Sequence, residues 1–391
     1  MYKTKKQNTM MYFRLLLVAL FFSLFISCNN TNKHKDDISQ AKISIDVNNI
    51  TNNLSYSDFF DQTSITPLET RPNCMIKEVN KSVYSNGMYY ILDERQGAVF
   101  AFNTQGEFVF KIHKKGKGPD EYLALEDFNL NPFSNTIDLL SPLGKILQYN
   151  RNNGQFINSI QLSGVRAVHA FQFLSRDTIV LFHLSEESKI SIYSITENKV
   201  VDRQHKVARF VHRYIPQYLN HYPFYKFKDK LHLFEYYSGS LKIFENGKFI
   251  EKIKWDFGEY NFDISKIKPD QDRTYYMNYI KNNPHLIRFA FIHEDTNKLV
   301  LQFTHNKRLF TLIYSKYSNN YTILSEFKEG VHFPQNPQFV DNKEFFVISP
   351  ASQVKHYLLE SNLDKSQLKL FQQLKVDDNP VVISYKISSE K

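Results

Sequence analysis

Cysteine is nearly absent: the 391-residue chain has two, Cys28 and Cys74, which rules out a small domain stapled by disulfides. Twelve glycines and thirteen prolines are too few for a collagenous or low-complexity protein. Long hydrophobic runs are missing as well. The longest, residues 15–26 (LLLVALFFSLFI), is apolar apart from Ser23, and a helix of that length rises roughly 18 Å against a hydrocarbon core of about 30 Å. With a mean hydropathy of −0.43, this excludes a polytopic membrane protein. No G-x-S-x-G elbow, H-E-x-x-H pair or C-x-x-C pair occurs. Asp270-Gln271-Asp272 opens like a calcium loop but continues Arg273-Thr274-Tyr275, without the glycine or the closing glutamate. What the chain does have is 42% hydrophobic and 15% aromatic residues, enough to bury a large core.

The start of the chain reads as an export signal. Lys3, Lys5, Lys6 and Arg14, with no acid before residue 28, form a basic region ahead of an apolar stretch of secretory length. The stretch ends Phe25-Ile26-Ser27-Cys28, which resembles the lipobox of bacterial lipoproteins. That resemblance implies cleavage after residue 27, acylation of Cys28, and a membrane anchor of acyl chains rather than a spanning helix. An ordinary cleavage site beside a chance cysteine is the alternative. Residues 28–54 then form a polar tether, and its Lys35-Asp36-Asp37 is similar to the acidic export signals of some Bacteroidota lipoproteins, implying the outer membrane and its outer face. Cys74 is left to be a buried free thiol. Lys and Arg number 49 against 40 acids, and four of the basic residues lie in the first 27, so the remainder carries +5. A balance that mild argues against a nucleic-acid partner, and a monomer is expected.

From about residue 63 short β-rich runs alternate with turns, and they repeat. Residues 89–93, 99–103 and 106–112 form one unit and residues 136–140, 146–150 and 154–160 the next, with Asn103 and Asn150 at matching turn positions 47 residues apart. A looser third unit covers residues 178–182, 190–195 and 200–204. The fourth is residues 231–236, 241–244 and 247–253, a fifth runs through residues 299–304, 309–314 and 321–327, and residues 344–348 open a sixth. Such small sheets bury themselves by stacking radially, so the fold class is all-β, a six-bladed β-propeller over residues 55–391. A β-sandwich is the competing all-β fold, but it does not explain the period. Closure requires the chain ends to share a blade, and residues 64–69 and 381–387 are the strands expected to pair. Between residues 352 and 376 apolar positions fall at helical spacing until Asn379-Pro380, which predicts a helical insertion in the last blade.

Three segments carry a more specific likeness: Ile65-Thr66-Pro67-Leu68-Glu69-Thr70, Tyr90-Ile91-Leu92-Asp93 and Gly116-Lys117-Gly118-Pro119-Asp120-Glu121-Tyr122. They resemble the I-P-L-E-T strand, Y-I-L-D strand and G-x-G-P-G-E-Y turn of the six-bladed, NHL-like β-propeller lipoproteins of Bacteroidota. Asp378-Asn379-Pro380-Val381-Val382 is similar to that family's closing strand. In the turn, Gly116 and Gly118 are expected to supply positive φ and Pro119 to fix its successor; it lacks the ending and following helix of a phosphate loop.

Candidate functional residues are sparse. Residues 203–230 combine Arg203, Lys206, Arg209, Arg213, Lys226, Lys228 and Lys230 with seven aromatics and one acid, Asp229. Aromatic faces suit sugar rings, and basic groups suit carboxylate, sulfate or phosphate. A ligand surface of Arg209, Arg213, Tyr214, Tyr218, Tyr222, Tyr225 and Lys226 is therefore expected, which Tyr275, Tyr276 and Tyr279 could extend; a plain inter-blade loop accounts for the same residues. Some NHL-like propellers are lyases or lactonases holding a channel metal, and His113, His169, His183 and His232 are the residues that could serve. Their offsets from the blade strands do not repeat, so no metal, cofactor or catalytic residue is assigned. The leading expectation is a binding module for a glycan, peptide or partner protein; the alternatives are a metal-bearing propeller enzyme and a ligand-free scaffold.

Overall fold

A computed structural model describes residues 41–51, 53–183, 188–206, 222–236, 238–263, 273–339 and 344–388. Residues 42–391 form one compact unit, a ring of six sheets. The first blade holds β3 (Lys81–Ser85), β4 (Met88–Asp93), β5 (Ala98–Asn103) and β6 (Phe108–Ile112). The second holds β7 (Asp127–Leu130), β8 (Thr136–Ser141), β9 (Lys145–Asn150) and β10 (Phe156–Gln161). The third holds β11 (Val168–Phe173), β12 (Thr178–His183), β13 (Ser188–Ser194) and β14 (Lys199–Lys206). The fourth holds β15 (Phe224–Phe227), β16 (Lys230–Glu235), β17 (Ser240–Glu245) and β18 (Lys248–Asp256), with β1 (Ala41–Ser44) added beyond β18. The fifth is β19 (Arg288–Glu294), β20 (Lys298–His305), β21 (Arg308–Ser315) and β22 (Tyr321–Leu324). The sixth is β23 (Gln338–Phe339), β24 (Glu344–Ser349), β25 (Val381–Ile387) and β2 (Phe60–Pro67).

The first strands of neighbouring blades meet one another, β7 with β11, β11 with β15 and β19 with β23, so these strands line the central channel. Side-chain alternation then decides the core. In β4, Tyr90 and Leu92 pack toward the second blade while Tyr89 and Ile91 pack toward the sixth. The middle strands β5, β8 and β13 are buried on both faces, which is why they read as nearly continuous apolar runs, whereas the outermost strands β10 and β14 are largely exposed. Between the fourth and fifth blades the filling is aromatic: Trp255 meets Tyr314 at 5.7 Å, and Phe257 meets Phe289 and Phe303 at 5.8 and 4.9 Å. A fully buried side chain of this class contributes about 1.5–3 kcal/mol.

The ring closes as the sequence predicts. β2 and β25 pair antiparallel, with Ile65 opposite Ile383 and Thr63 opposite Tyr385. Tyr385 is fully buried, its ring 4.8 Å from Phe345 and 5.0 Å from Phe60. Asn379 then clasps the seam. Its Nδ2 donates to the carbonyls of Glu69 (2.6 Å) and Cys74 (2.9 Å), and its Oδ1 accepts from the Ile76 amide (2.8 Å). The predicted insertion is present as two 3-10 turns, Ala351–His356 and Glu360–Asn362, and a helix, Lys365–Gln373, capped by Asp364.

The tether expected over residues 28–54 gives way, from Ala41 onward, to folded structure. Besides β1, Lys42 pairs with Asp256 at 2.7 Å, the Thr51 amide donates to Ile323 O at 2.7 Å, and Tyr56 is buried in the core of the fifth and sixth blades. The expected signal peptide, Cys28 and the acidic export signal lie outside the described residues. No helix among the described residues is long and apolar enough to cross a membrane.

Candidate functional site at the channel mouth

The residues just before each inner strand and just after each second strand gather at one end of the channel. There a cavity of ≈ 240 Å³ is lined by residues of three blades, among them Glu78, Asn80 and Ser82 of the first, Phe291 of the fifth, and Gln335, Asn336, Gln353 and Tyr357 of the sixth. Each wall is held by buried hydrogen bonds. The Asp93 carboxylate, fully buried, accepts from the amides of Lys77 (2.7 Å) and Glu78 (3.2 Å) and from Gln96 Nε2 (2.6 Å), which fixes the loop that carries Glu78. Asn80 Oδ1 accepts from the Glu94 amide at 2.8 Å. Across the cavity, fully buried Gln302 donates to Pro334 O (3.1 Å) and accepts from the Asn336 amide (3.3 Å), setting the loop of Gln335. The insertion supplies the remaining wall: Val354 is buried beneath the first 3-10 turn, and Tyr385 Oη donates to Tyr357 O at 2.9 Å.

The lining is polar and unspent. The side chains of Glu78, Ser82, Gln335, Gln353 and Tyr357 form no hydrogen bond with another described residue, although all five face the cavity. A polar group that folding leaves without a partner, in a concave site, is available to a ligand.

Beside the cavity a charged network joins the inner strands. Lys81 Nζ donates to Asp127 Oδ1 (2.6 Å) and Phe128 O (2.8 Å) and lies 4.8 Å from the Tyr222 ring centroid. The other oxygen of Asp127 accepts from the Phe171 amide at 3.0 Å, tying the second blade to the third. Burial raises the Asp127 pKa, and Lys81 opposes that rise. Tyr222 Oη donates to Glu94 Oε1 (2.8 Å) and approaches Glu126 O (3.1 Å); His169 Nδ1 lies 2.9 Å from Glu126 Oε2, and its ring stacks on Tyr222 at 6.0 Å. Burial raises Tyr222 well above the ordinary phenol range, with Asp127 and Glu94 pushing the same way.

Of the ligand surface expected from sequence, Arg209, Arg213, Tyr214 and Tyr218 lie outside the described residues, as do Arg203-to-Lys230 neighbours at 207–221. The other three residues do not share a face. Tyr222 sits at the channel mouth. Tyr225 turns inward, its hydroxyl donating to Glu294 Oε2 at 2.9 Å and its ring stacked 4.7 Å from His232. Lys226, next in the strand, points the other way and is exposed. Tyr275 is exposed on the helix Arg273–Asn282.

The four histidines considered for a metal are dispersed. His169 pairs with Glu126, His183 Nε2 lies 2.9 Å from Ser191 Oγ, His232 Nε2 lies 3.4 Å from Glu294 Oε2, and His113 is exposed. Among the described residues no three His, Cys, Asp or Glu side chains are grouped to hold a metal ion. Cys74 is buried and free, its Sγ 3.1 Å from Glu69 O.

The glycine turn joins the first two blades, by a different mechanism from the one expected. Neither Gly116 nor Gly118 has a positive φ. Glycine at 116 leaves room for the Glu121 carboxylate, which folds back over it to accept from the Gly118 amide at 2.8 Å; a Cβ at 116 would stand 1.9 Å from Glu121 Oε2 and displace that side-chain end. Lys145 Nζ donates to Pro119 O (2.7 Å) and Tyr149 Oη to Asp120 O (2.7 Å), so the second blade grips the turn of the first.

Comparison with one solved structure agrees with this fold. A crystal structure of a protein from Bacteroides fragilis NCTC 9343, described as exported, superposes with a TM-score of 0.73 at 16% identity, covering 89% of this chain and 100% of that one. A member of the DUF4221 family from Bacteroides vulgatus gives a TM-score of 0.48 at 11% identity, covering 84% of this chain and 97% of that one. No curated protein matches the sequence. The sequence profile of a domain of unknown function, DUF4934, matches residues 42–386, and the chain belongs to that family.

Proposed function

We propose that this protein is a binding propeller of the cell envelope, anchored by lipid on Cys28, which takes a glycan, a peptide or a segment of a partner protein at the mouth of its channel. The observation that carries this reading is the cavity of ≈ 240 Å³ on which Glu78, Ser82, Gln335, Gln353 and Tyr357 converge without partners of their own. Carboxamide, hydroxyl and phenol groups around a small concavity are the chemistry of polar-ligand recognition. In this reading the chain is one of the NHL-like lipoproteins of Bacteroidota at the outer membrane, supported by the basic and apolar residues ahead of Cys28 and by the exported Bacteroides fragilis protein with the same fold.

Two experiments test the two halves. Glycan and peptide arrays probed with the wild type and with Gln353→Trp, a change at an exposed rim position, should show signals that the variant loses; signals kept by the variant would refute the mouth as the seat. Metabolic labelling with a palmitate analogue should mark the wild type and not Cys28→Ala, and an unlabelled wild type would refute the anchor.

A further inference from the structure

We infer that the channel-mouth cavity takes a polar group bearing a protonated amine, and that Glu78 is the residue that selects it. This deepens the binding reading and rests on it. Pockets for drug-sized ligands run to about 300–1,000 Å³; at ≈ 240 Å³ this cavity admits one sugar ring or one amino-acid side chain. Among the described residues of its lining, Glu78 is the only charged one. It is exposed at the rim, and its carboxylate has no ion-pair partner among the described residues. Its backbone is nonetheless fixed by Asp93, so the carboxylate is presented from a rigid loop.

The surroundings reinforce the negative sign. Burial raises the Glu94 pKa; Tyr222 and His169 oppose that rise, while the carboxylates of Glu126 and Glu78 add to it, which places each of those two acids within electrostatic reach of Glu94. The ammonium of Lys81 is already engaged by Asp127, Phe128 O and Asn129 Oδ1. The remaining polar lining is neutral: Asn80, Ser82, Gln335, Asn336, Gln353 and Tyr357 offer donors and acceptors to the hydroxyls or amides of the same ligand. A neutral polar cradle with one free carboxylate at its rim recognises a cation by a charge-assisted hydrogen bond and sets its neighbours by ordinary ones.

Titration calorimetry with two matched pairs tests this: glucosamine against N-acetylglucosamine, and Nα-acetyl-lysine methylamide against its Nζ-acetylated form. The amine of at least one pair should bind at least tenfold more tightly than its acetylated partner, and the pair that responds tells a sugar source from a peptide source. Glu78→Gln should remove roughly tenfold or more of that affinity with an unchanged melting temperature, since the side chain holds nothing in the fold. Acetylated forms that bind as well as the amines, with Glu78→Gln silent and Gln353→Trp still blocking, would overturn the charge selection and leave the mouth as the seat. Binding that survives Gln353→Trp would overturn both. No binding by any of the four probes would overturn the amine inference, leaving the arrays to decide the broader reading.

Discussion

Replacing Asn379 with alanine should open the ring where its two ends meet. The side chain is 1% exposed and satisfies three backbone groups at once: the Glu69 and Cys74 carbonyls and the Ile76 amide. Glu69 O keeps a weak donor in Cys74 Sγ at 3.1 Å, so the truncation strands two groups, the Ile76 N–H and the Cys74 carbonyl. A buried polar group left unsatisfied costs about 1–3 kcal/mol, so with two stranded Asn379→Ala should lose about 2–6 kcal/mol, a large share of the roughly 5–15 kcal/mol that holds a domain together. Urea unfolding followed by Trp255 fluorescence measures it. This is the only tryptophan, 1% exposed in the fourth blade, well away from the seam in the ring order, so it reports whole-ring unfolding. Asn379→Asp keeps an acceptor for Ile76 but sets a carboxylate against two carbonyls, and should lose at least as much at neutral pH. A loss below about 1 kcal/mol for Asn379→Ala would refute the clasp.

Glycine substitutions should separate two kinds of crowding. Gly116→Ala meets the mobile end of Glu121 and should cost about 1 kcal/mol, non-additively with Glu121→Ala. Gly106→Ala, at φ +80 with its Cβ 2.3 Å from the backbone oxygen of Pro67, should cost more, and equal midpoints in urea would contradict this. Burial alone would raise the Glu235 pKa, but His205 and Lys242 hold it at about 2, below its ordinary 4.5. Its contribution is therefore complete above pH 4.5 and lost as pH falls toward 2. Glu235→Gln should lose about 3 kcal/mol at pH 7 and flatten stability between those limits; a variant with the same acid slope would count against the network. Cys74, its thiol pushed up by burial, should resist a thiol reagent in the native state and react only on unfolding, and fast native labelling would contradict its placement.

The middle strands of the blades were legible because both their faces are buried: Tyr89-Tyr90-Ile91-Leu92 announces a strand whichever face is counted, while the largely exposed outermost strands β10 and β14 are marked by the turns ahead of them. The closing pair was legible for the same reason. The inner strands were not. β7 reads Asp-Phe-Asn-Leu and β23 has two residues, because a strand lining the channel spends its side chains on polar cross-links such as Asn129 to Phe171 O and Gln172 to Asn129. The cavity is equally hard to read from sequence: Glu78 and Gln335 sit in connections with no periodicity, marked only by their place next to an inner strand, and Gln353 is a polar position of the helical insertion. The basic and aromatic segment stands out by composition, yet Tyr225 and Lys226, adjacent in one strand, necessarily part to opposite faces.

The most direct measurement on the central claim is hydrogen–deuterium exchange of the protein with and without a ligand selected from the arrays. If the channel mouth is the seat, peptides covering residues 78–82, 335–336 and 349–357, distant in sequence but together around the cavity, should gain protection as a set. Protection confined to the outer strands of the blades, with those three segments unchanged, would contradict the account.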